Sequence, residues 1–291
     1  MMVSNILHRL SFSAAAFGAA VWLAALPASA VVSFEFDLSA AQSDFDANPG
    51  SQAALVDAAA ILGSFFDHTA TIQVAVTSEN SGTGALASAG PEFFGFFQNG
   101  FGNRGVPGTK ILGGADANNA DPDASLTIDF GYDWDFDDTV GALSFDFKST
   151  IMHELTHAIG FLSTINEDGT NLFSPLQTAG TPAEWIPFDQ FVGDATGVLI
   201  DPITFALDVA RWNAASVGGT GAGNGLFFWG PNAMAAHGGP VPLYSPNPWQ
   251  DGSSGGHLDD EFFDPEALLM ESSTLPGASA RSFSAVEAGM L

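Results

Sequence analysis

The residues able to do chemistry cluster in Ile151-Met-His-Glu-Leu-Thr-His-Ala-Ile-Gly-Phe161. His153 and His157 are four apart, so on a helix they share one face, one turn above the other. Both imidazoles can then reach one metal ion. Glu154 stands one residue round from the first, close enough to take a proton from a water at that metal without having to bind it. His-Glu-x-x-His on a helix therefore points to metal-assisted hydrolysis, with two His ligands for Zn²⁺ and a Glu general base. Ile151, Met152, Leu155, Ala158, Ile159 and Phe161 surround the pattern, so the helix is expected to be buried. Two imidazoles and a carboxylate in a buried helix are costly without a partner, and a cation supplies one.

Two histidines do not complete a catalytic zinc site, which takes three protein ligands and keeps a position for water. His257, His237 and Glu184 are the candidates for the third. His257 is the expected one. It lies in Gly252-Ser-Ser-Gly-Gly-His-Leu-Asp-Asp260, a flexible approach able to carry an imidazole to a distant metal, and Met270 follows in Ala267-Leu-Leu-Met-Glu271. His237, in Ala235-Ala-His-Gly-Gly239, and Glu184 are the fallbacks. His68 stands alone and reads as a loop histidine.

Other chemistries leave weaker traces. Gly252-Ser-Ser-Gly-Gly256 fits G-x-S-x-G at Ser254, but a nucleophile elbow needs a strand before it and a helix after it. Neither Pro246–Asp251 nor His257–Asp260 reads that way, so a serine hydrolase is a minor alternative. Tyr132-Asp-Trp-Asp-Phe-Asp-Asp138 alternates aromatic and acidic residues. As an EF-hand loop it fails, since Asp138 and Ser144 stand where Gly and Glu belong, which leaves a looser Ca²⁺ site as a second cation expectation. The non-enzymatic alternative is a secreted, acidic surface or matrix protein with a structural metal site. Glu154 argues against it, because a purely structural site has no use for a general base.

The elements that must position these residues read as follows. Val32–Leu38, Thr71–Thr77 and Ser125–Phe130 have strand character. Gln52–Phe66 reads as a helix with Ser51 as N-cap and Ala53, Val56, Ala60, Ile61 and Phe65 near one face. Asp44–Gly50 and Ser78–Gly90 read as loops. The motif helix is expected to begin near Phe147–Ser149, capped by Asp146 or Ser149, and to end at Gly160, a residue that accepts the left-handed backbone of a sharp turn. Thr164–Gly256 is Gly- and Pro-rich and mostly loop-like, with one helix over Ile203–Val217. The expected fold class is α+β: an N-terminal lobe, 31–160, with a twisted mixed sheet and two main helices, and a loop-rich C-terminal lobe, 161–291.

Residues 1–30 read as an address rather than as fold. Leu10–Leu26 is apolar and small-residue rich, and Ala28-Ser-Ala30 is an A-x-A cleavage signature, so a secretory signal peptide is expected, with no membrane span after its removal. The net charge of −27 excludes nucleic acid and anionic membranes as partners. High charge invites disorder, but 46% hydrophobic residues and 26 Phe argue for a packed protein. There is no cysteine, so no disulfide stiffens the chain.

The helix His153-Glu-Leu-Thr-His-Ala-Ile-Gly-Phe161 resembles that of leishmanolysin-type metzincins, which separate their second and third His by a long insertion. Their compact relatives carry the third His at the position of Ser163, so that form is excluded here. His257 followed by Met270 resembles the family's third ligand and the Met of its tight turn. Gly225-Leu-Phe-Phe-Trp-Gly230, Val241-Pro-Leu-Tyr-Ser-Pro246 and Gly256-His-Leu-Asp259 resemble secreted bacterial members of the wider group. The resemblance implies a metzincin-like fold and a secreted zinc endopeptidase acting on a protein or peptide substrate. His153, His157 and His257 would be its ligands, Glu154 its base, and Met270 an apolar floor. It also implies a C-terminal helix over Arg281–Leu291 and a strand near Leu126–Phe130 that pairs with substrate. The chain lacks leishmanolysin's cysteines, and residues 31–120 carry no part of the likeness.

Overall fold

The computed structural model describes residues 31–94, 98–173, 177–220, 223–263 and 268–291. The expected leader, residues 1–30, lies outside them. Strand β1, Val32–Asp37, runs parallel to β2, Ala70–Glu79, with Val32 opposite Ala70. In β2, Ala70, Ile72, Val74 and Val76 are buried and alternate with more exposed residues, the period-2 pattern of a half-buried strand. β3, Ala87–Pro91, and β4, Ala124–Asp129, complete a mixed sheet of order β1-β2-β4-β3. β4 is parallel to β2 and antiparallel to β3.

This sheet corrects two expectations. The segment Ser78–Gly90 is not all loop, because it runs from the end of β2 into β3. Ala, Ser and Gly carry little strand propensity, so the edge strand is held by its ladder to β4 rather than by its side chains. The strand expected to meet a substrate, β4, is paired on both sides and has no free edge. The open edge on that side of the sheet is β3.

The helices differ from expectation in detail. Asp44–Gly50 is not a loop throughout: α1, Gln42–Ala47, buries Phe45, and the Asp44 carboxylate accepts from Ser78 and Asn80. α2 spans Ser51–Gly63, and Ser51 is its first residue rather than its cap; the Ser51 hydroxyl donates to Asn48 O at 2.7 Å. Its buried face is Ala54, Leu55, Ala58, Ala59 and Leu62, while Val56 and Phe65 are 54% and 45% exposed. The helix is apolar on nearly every side, so periodicity could not choose the face. A Cβ at Gly63 would sit 1.9 Å from the Val32 carbonyl oxygen, so only glycine lets this helix end abut β1. α3 spans Gly105–Gly113. Two short strands follow, β5 Trp134–Asp135 and β6 Phe145–Asp146, and then the motif helix α4, Phe147–Ala158, which packs against α2 and β3.

The stretch read as mostly loop holds a second, antiparallel sheet. β7 Val192–Asp194, β8 Gly197–Val198, β9 Leu226–Phe228 and β10 Val241–Leu243 lie in the order β10-β9-β7-β8. Strands of two or three residues are too short to register as alternation. The helix expected over Ile203–Val217 shrinks to α5, Val209–Ala215. Asp208 caps it, and Phe205 at φ +59° keeps the preceding turn non-helical. α6 is Pro231–His237 and α7 is Asp260–Phe263; the expected C-terminal helix is a single turn, α8, Ala285–Ala288. One apolar core runs through both halves of the chain, with Trp185, Trp212, Phe147, Phe161 and Phe228 fully buried. The architecture is mixed α/β with open sheets, compatible with α+β. Among the described residues no helix is long and apolar enough to cross a membrane.

Candidate metal centre

α4 is fixed at both ends. Asp146 caps it, accepting the Ser149 N–H at 2.9 Å. Beyond the last turn, Gly160 at φ +123° reverses the chain, so that the Phe161 carbonyl comes back against His157. Every residue of α4 is buried except His153, which is half-buried. The helix thus delivers His153 and His157 from one face into a cavity.

His257 meets them there. The three Nε2 atoms form a triangle: 3.0 Å between His153 and His157, 3.1 Å between His153 and His257, and 2.9 Å between His157 and His257. Each Nδ1 faces a backbone carbonyl: His153 that of Leu269 at 2.6 Å, His157 that of Phe161 and His257 that of Ser253 at 2.9 Å. A carbonyl accepts and cannot donate, so each ring carries its proton on Nδ1. All three Nε2 lone pairs then point at one another, an arrangement that repels unless a cation sits among them. The spacing also fits: ligands at about 2.0–2.1 Å from a tetrahedral zinc lie roughly 3.3 Å apart. The three histidines are close enough to bind one metal ion, and no other such group of His, Cys, Asp or Glu occurs among the described residues.

Burial keeps these rings neutral, as ligands must be. It pulls the His153 imidazole below its ordinary value and His257 down to about 3. His157 is lowered further, first by burial and then by its two neighbours. Glu154 is 7% exposed, and burial pushes its carboxyl up to about 8 against the opposing pull of the Ala89 N–H on β3. His153, Glu154, His157 and His257 all line one cavity of about 1690 Å³, whose walls include Ala87 and Ala89 of β3 and residues 272–276.

The other candidates lie elsewhere. His237, at the end of α6, packs against Phe262 and Phe263, and its Nδ1 faces Gly239 O at 3.2 Å. Glu184 is buried next to the Gly100 backbone, with its Oε1 unpartnered. Neither joins the group, which corrects both fallbacks. Ser254 is buried in a turn where its Oγ accepts the Gln250 N–H, while His257 is committed to Ser253 O. Ser254 and His257 therefore form no nucleophile–base pair. The acidic run expected to hold Ca²⁺ is used differently. Asp135 accepts the N–H groups of Asp137 and Gly141, and Asp138 pairs with Lys148 and Arg281. These carboxylates brace a loop instead of converging on a cation.

Two supporting residues escaped sequence reasoning. Asp189 is fully buried and accepts from Ser163, from the Thr164 hydroxyl and from the Thr164 N–H, pinning the chain just beyond the Gly160 turn. Nothing local marked it. Glu287 is fully buried in α8 and accepts the Met270 N–H at 2.8 Å. Its signal was present: Ser284-Ala-Val-Glu287 is a capping-box pattern, and both of its hydrogen bonds form. Met270 itself is fully buried and follows directly on Leu269, the carbonyl partner of His153. In comparisons with protein families and with curated proteins, the chain matches none.

Proposed function

We propose that the chain is a secreted zinc-dependent endopeptidase of metzincin-like build, similar to the leishmanolysin-type enzymes. One observation carries the reading: three inward-facing Nε2 atoms, each fixed by a carbonyl behind its ring, share a cleft with the buried carboxyl of Glu154. Three imidazoles suit zinc, whereas calcium requires oxygen ligands. Three protein ligands, and no fourth among the described residues, suit a catalytic site rather than a closed structural one.

When bound, the ion supplies a Lewis acid for the scissile carbonyl and lowers the pKa of water toward about 7. The chain's own residues do the rest. His153, His157 and His257 stay neutral because burial disfavours their charged forms. Glu154, in the same cleft as the three imidazoles, accepts a proton from the attacking water and returns it to the leaving amine. β3 offers an unpaired edge along the cavity wall, to which an extended peptide can add as a further strand. The apolar leader at 10–26 with its Ala28-Ser-Ala30 signature supports export.

The test is Glu154→Gln in the full chain, with zinc content and hydrolysis of unfolded protein substrates measured in parallel. Retained stoichiometric zinc with activity lower by about 10²–10⁴-fold is expected. A wild-type protein that binds zinc but cleaves nothing would instead support an acidic surface protein with a structural metal site.

A further inference from the structure

We propose that Glu287, in the C-terminal turn α8, is a positioning residue for the metal centre: it clamps the dipeptide Leu269–Met270 so that this dipeptide sets the spacing between His153 and His257. The inference rests on the metal reading of the three imidazoles, but not on peptide hydrolysis.

His153 comes from α4, and His257 from a turn 104 positions later in the chain. Among the described residues no helix or named strand carries both. What connects them is the backbone of Leu269 and Met270. The Leu269 carbonyl accepts His153 Nδ1–H at 2.6 Å. The Met270 carbonyl accepts the N–H of Leu258, the residue directly after His257, at 2.9 Å. Two consecutive carbonyls thus hold one ligand through its ring and the other through its neighbouring peptide. Any shift of this dipeptide moves the two Nε2 atoms relative to one another.

The opposite side of the dipeptide is held by Glu287. Its Oε1 accepts the Met270 N–H at 2.8 Å. Its Oε2 accepts the Ser284 N–H at 2.7 Å, while the Glu287 N–H returns to Ser284 Oγ at 3.2 Å. The carboxylate therefore joins the cap of α8 to the segment behind the metal. A residue serving only as a helix cap sits at the surface, where water satisfies the remaining lone pairs. Glu287 is fully buried. A buried carboxylate is retained at a desolvation cost that a surface cap never meets, so its partner beyond the cap needs an account. That partner is the amide of Met270, whose carbonyl holds the 257–258 segment and whose preceding residue, Leu269, holds His153. Groups that orient metal ligands from behind affect affinity by roughly 10–100-fold when removed.

The experiment compares the full chain with Glu287→Gln and with Ser284→Ala, which loosens the same cap without touching Leu269 or Met270. Zinc affinity is measured by competition with a chromophoric chelator, the visible spectrum by Co²⁺ substitution, and melting of the metal-free proteins in parallel. The expected result for Glu287→Gln is a zinc dissociation constant raised roughly 10–100-fold with an altered Co²⁺ spectrum. Ser284→Ala should lower the melting temperature of the metal-free protein yet bind both ions as wild type does. If Glu287→Gln does not fold, Glu287→Asp keeps the charge with a shorter reach and should show the same affinity loss in smaller degree. Wild-type zinc affinity in whichever Glu287 variant folds, or an affinity loss matched by Ser284→Ala, would overturn the proposal. A wild-type chain that binds no zinc would instead overturn the metal reading beneath it.

Discussion

At the scale of single residues, the centre is legible wherever the relation between residues is a helical period. His153, Glu154 and His157 need only four positions and a buried helix to define their geometry. His257 was reachable only through the need for a third ligand and the glycines around it, because the turn that aims it is tertiary. Asp189 leaves no local mark, and the capping box at Ser284 marks Glu287 as a cap but not its bond to Met270, because a carboxylate's target fifteen or more positions away is tertiary. The same limit hides ion pairs such as Asp194 with Arg211, which joins β7 to α5. The Arg211 guanidinium holds the Asp194 carboxyl well below the usual carboxylate range. The folded chain therefore binds this proton less readily than the unfolded one. The stabilisation is complete above the ordinary Asp value of about 4 and is lost as pH falls from there toward the depressed folded value. Both side chains keep some exposure, 33% for Arg211 and 18% for Asp194. A value of about 1–2 kcal/mol near neutrality is reasonable after screening. Asp194→Asn should thus destabilise by that amount at pH 7 in urea unfolding, and the gap to wild type should close below about pH 4. A gap unchanged down to pH 2 would assign the effect to lost hydrogen bonds instead of charge.

At the scale of elements, α4 matters most, and its start is its most heavily engaged point. Asp146 accepts the Ser149 N–H as N-cap and also receives a forked contact from Arg281, whose Nε and Nη2 both reach its Oδ1. Asp146 is 2% exposed. Asp146→Ala should cost about 2 kcal/mol or more, one part being the lost cap and the other the loss of the buried carboxylate that the Arg281 guanidinium forks onto, Asp138 remaining as its second partner. Asp146→Asn keeps a capping oxygen and should recover roughly 1 kcal/mol of this in the same unfolding experiment. Equal losses in the two variants would mean that the cap contributes nothing. This helix, α2 and the parallel strands were readable because each is long enough for its burial pattern to repeat. α1, β3 and the second sheet were not. α1 buries one side chain, β3 is built from Ala, Ser, Gly and Pro, and β7 to β10 hold two or three residues each. The strands take their order from neighbours: β3 from β4, and those of the second sheet from its two inner strands, β9 and β7.

At the scale of the whole molecule, the dominant fact is charge: 33 Asp and Glu against 6 Lys and Arg. Lys110, Lys148, Arg211 and Arg281 are already paired with carboxylates, so most of the positive charge is spent locally and the remainder of the surface repels itself. Salt acts on both terms. It weakens the few attractive pairs, but it screens a far larger number of repulsive ones, and the Debye length shrinks from about 30 Å at 0.01 M to about 3 Å at 1 M. The melting temperature of the metal-free protein should therefore rise with NaCl. A bound metal ion would stabilise the fold as well, but its contribution should shrink with salt. An ion bound to the folded state alone stabilises it by about 4 kcal/mol at a thousandfold excess over its dissociation constant, or roughly 10 °C for a chain of this size. The same negative field that destabilises the fold concentrates divalent cations at the cleft, so salt should weaken their apparent affinity. Scanning calorimetry from low to high NaCl, with chelator and with zinc, should then show the zinc-induced shift shrinking while the metal-free curve climbs. His257→Ala should keep the climb and lose the shift, because removing one imidazole takes away a ligand but almost none of the surface charge. A metal-free melting point that falls with salt would mean that the few ion pairs outweigh the repulsion, and the charge argument would fail with it.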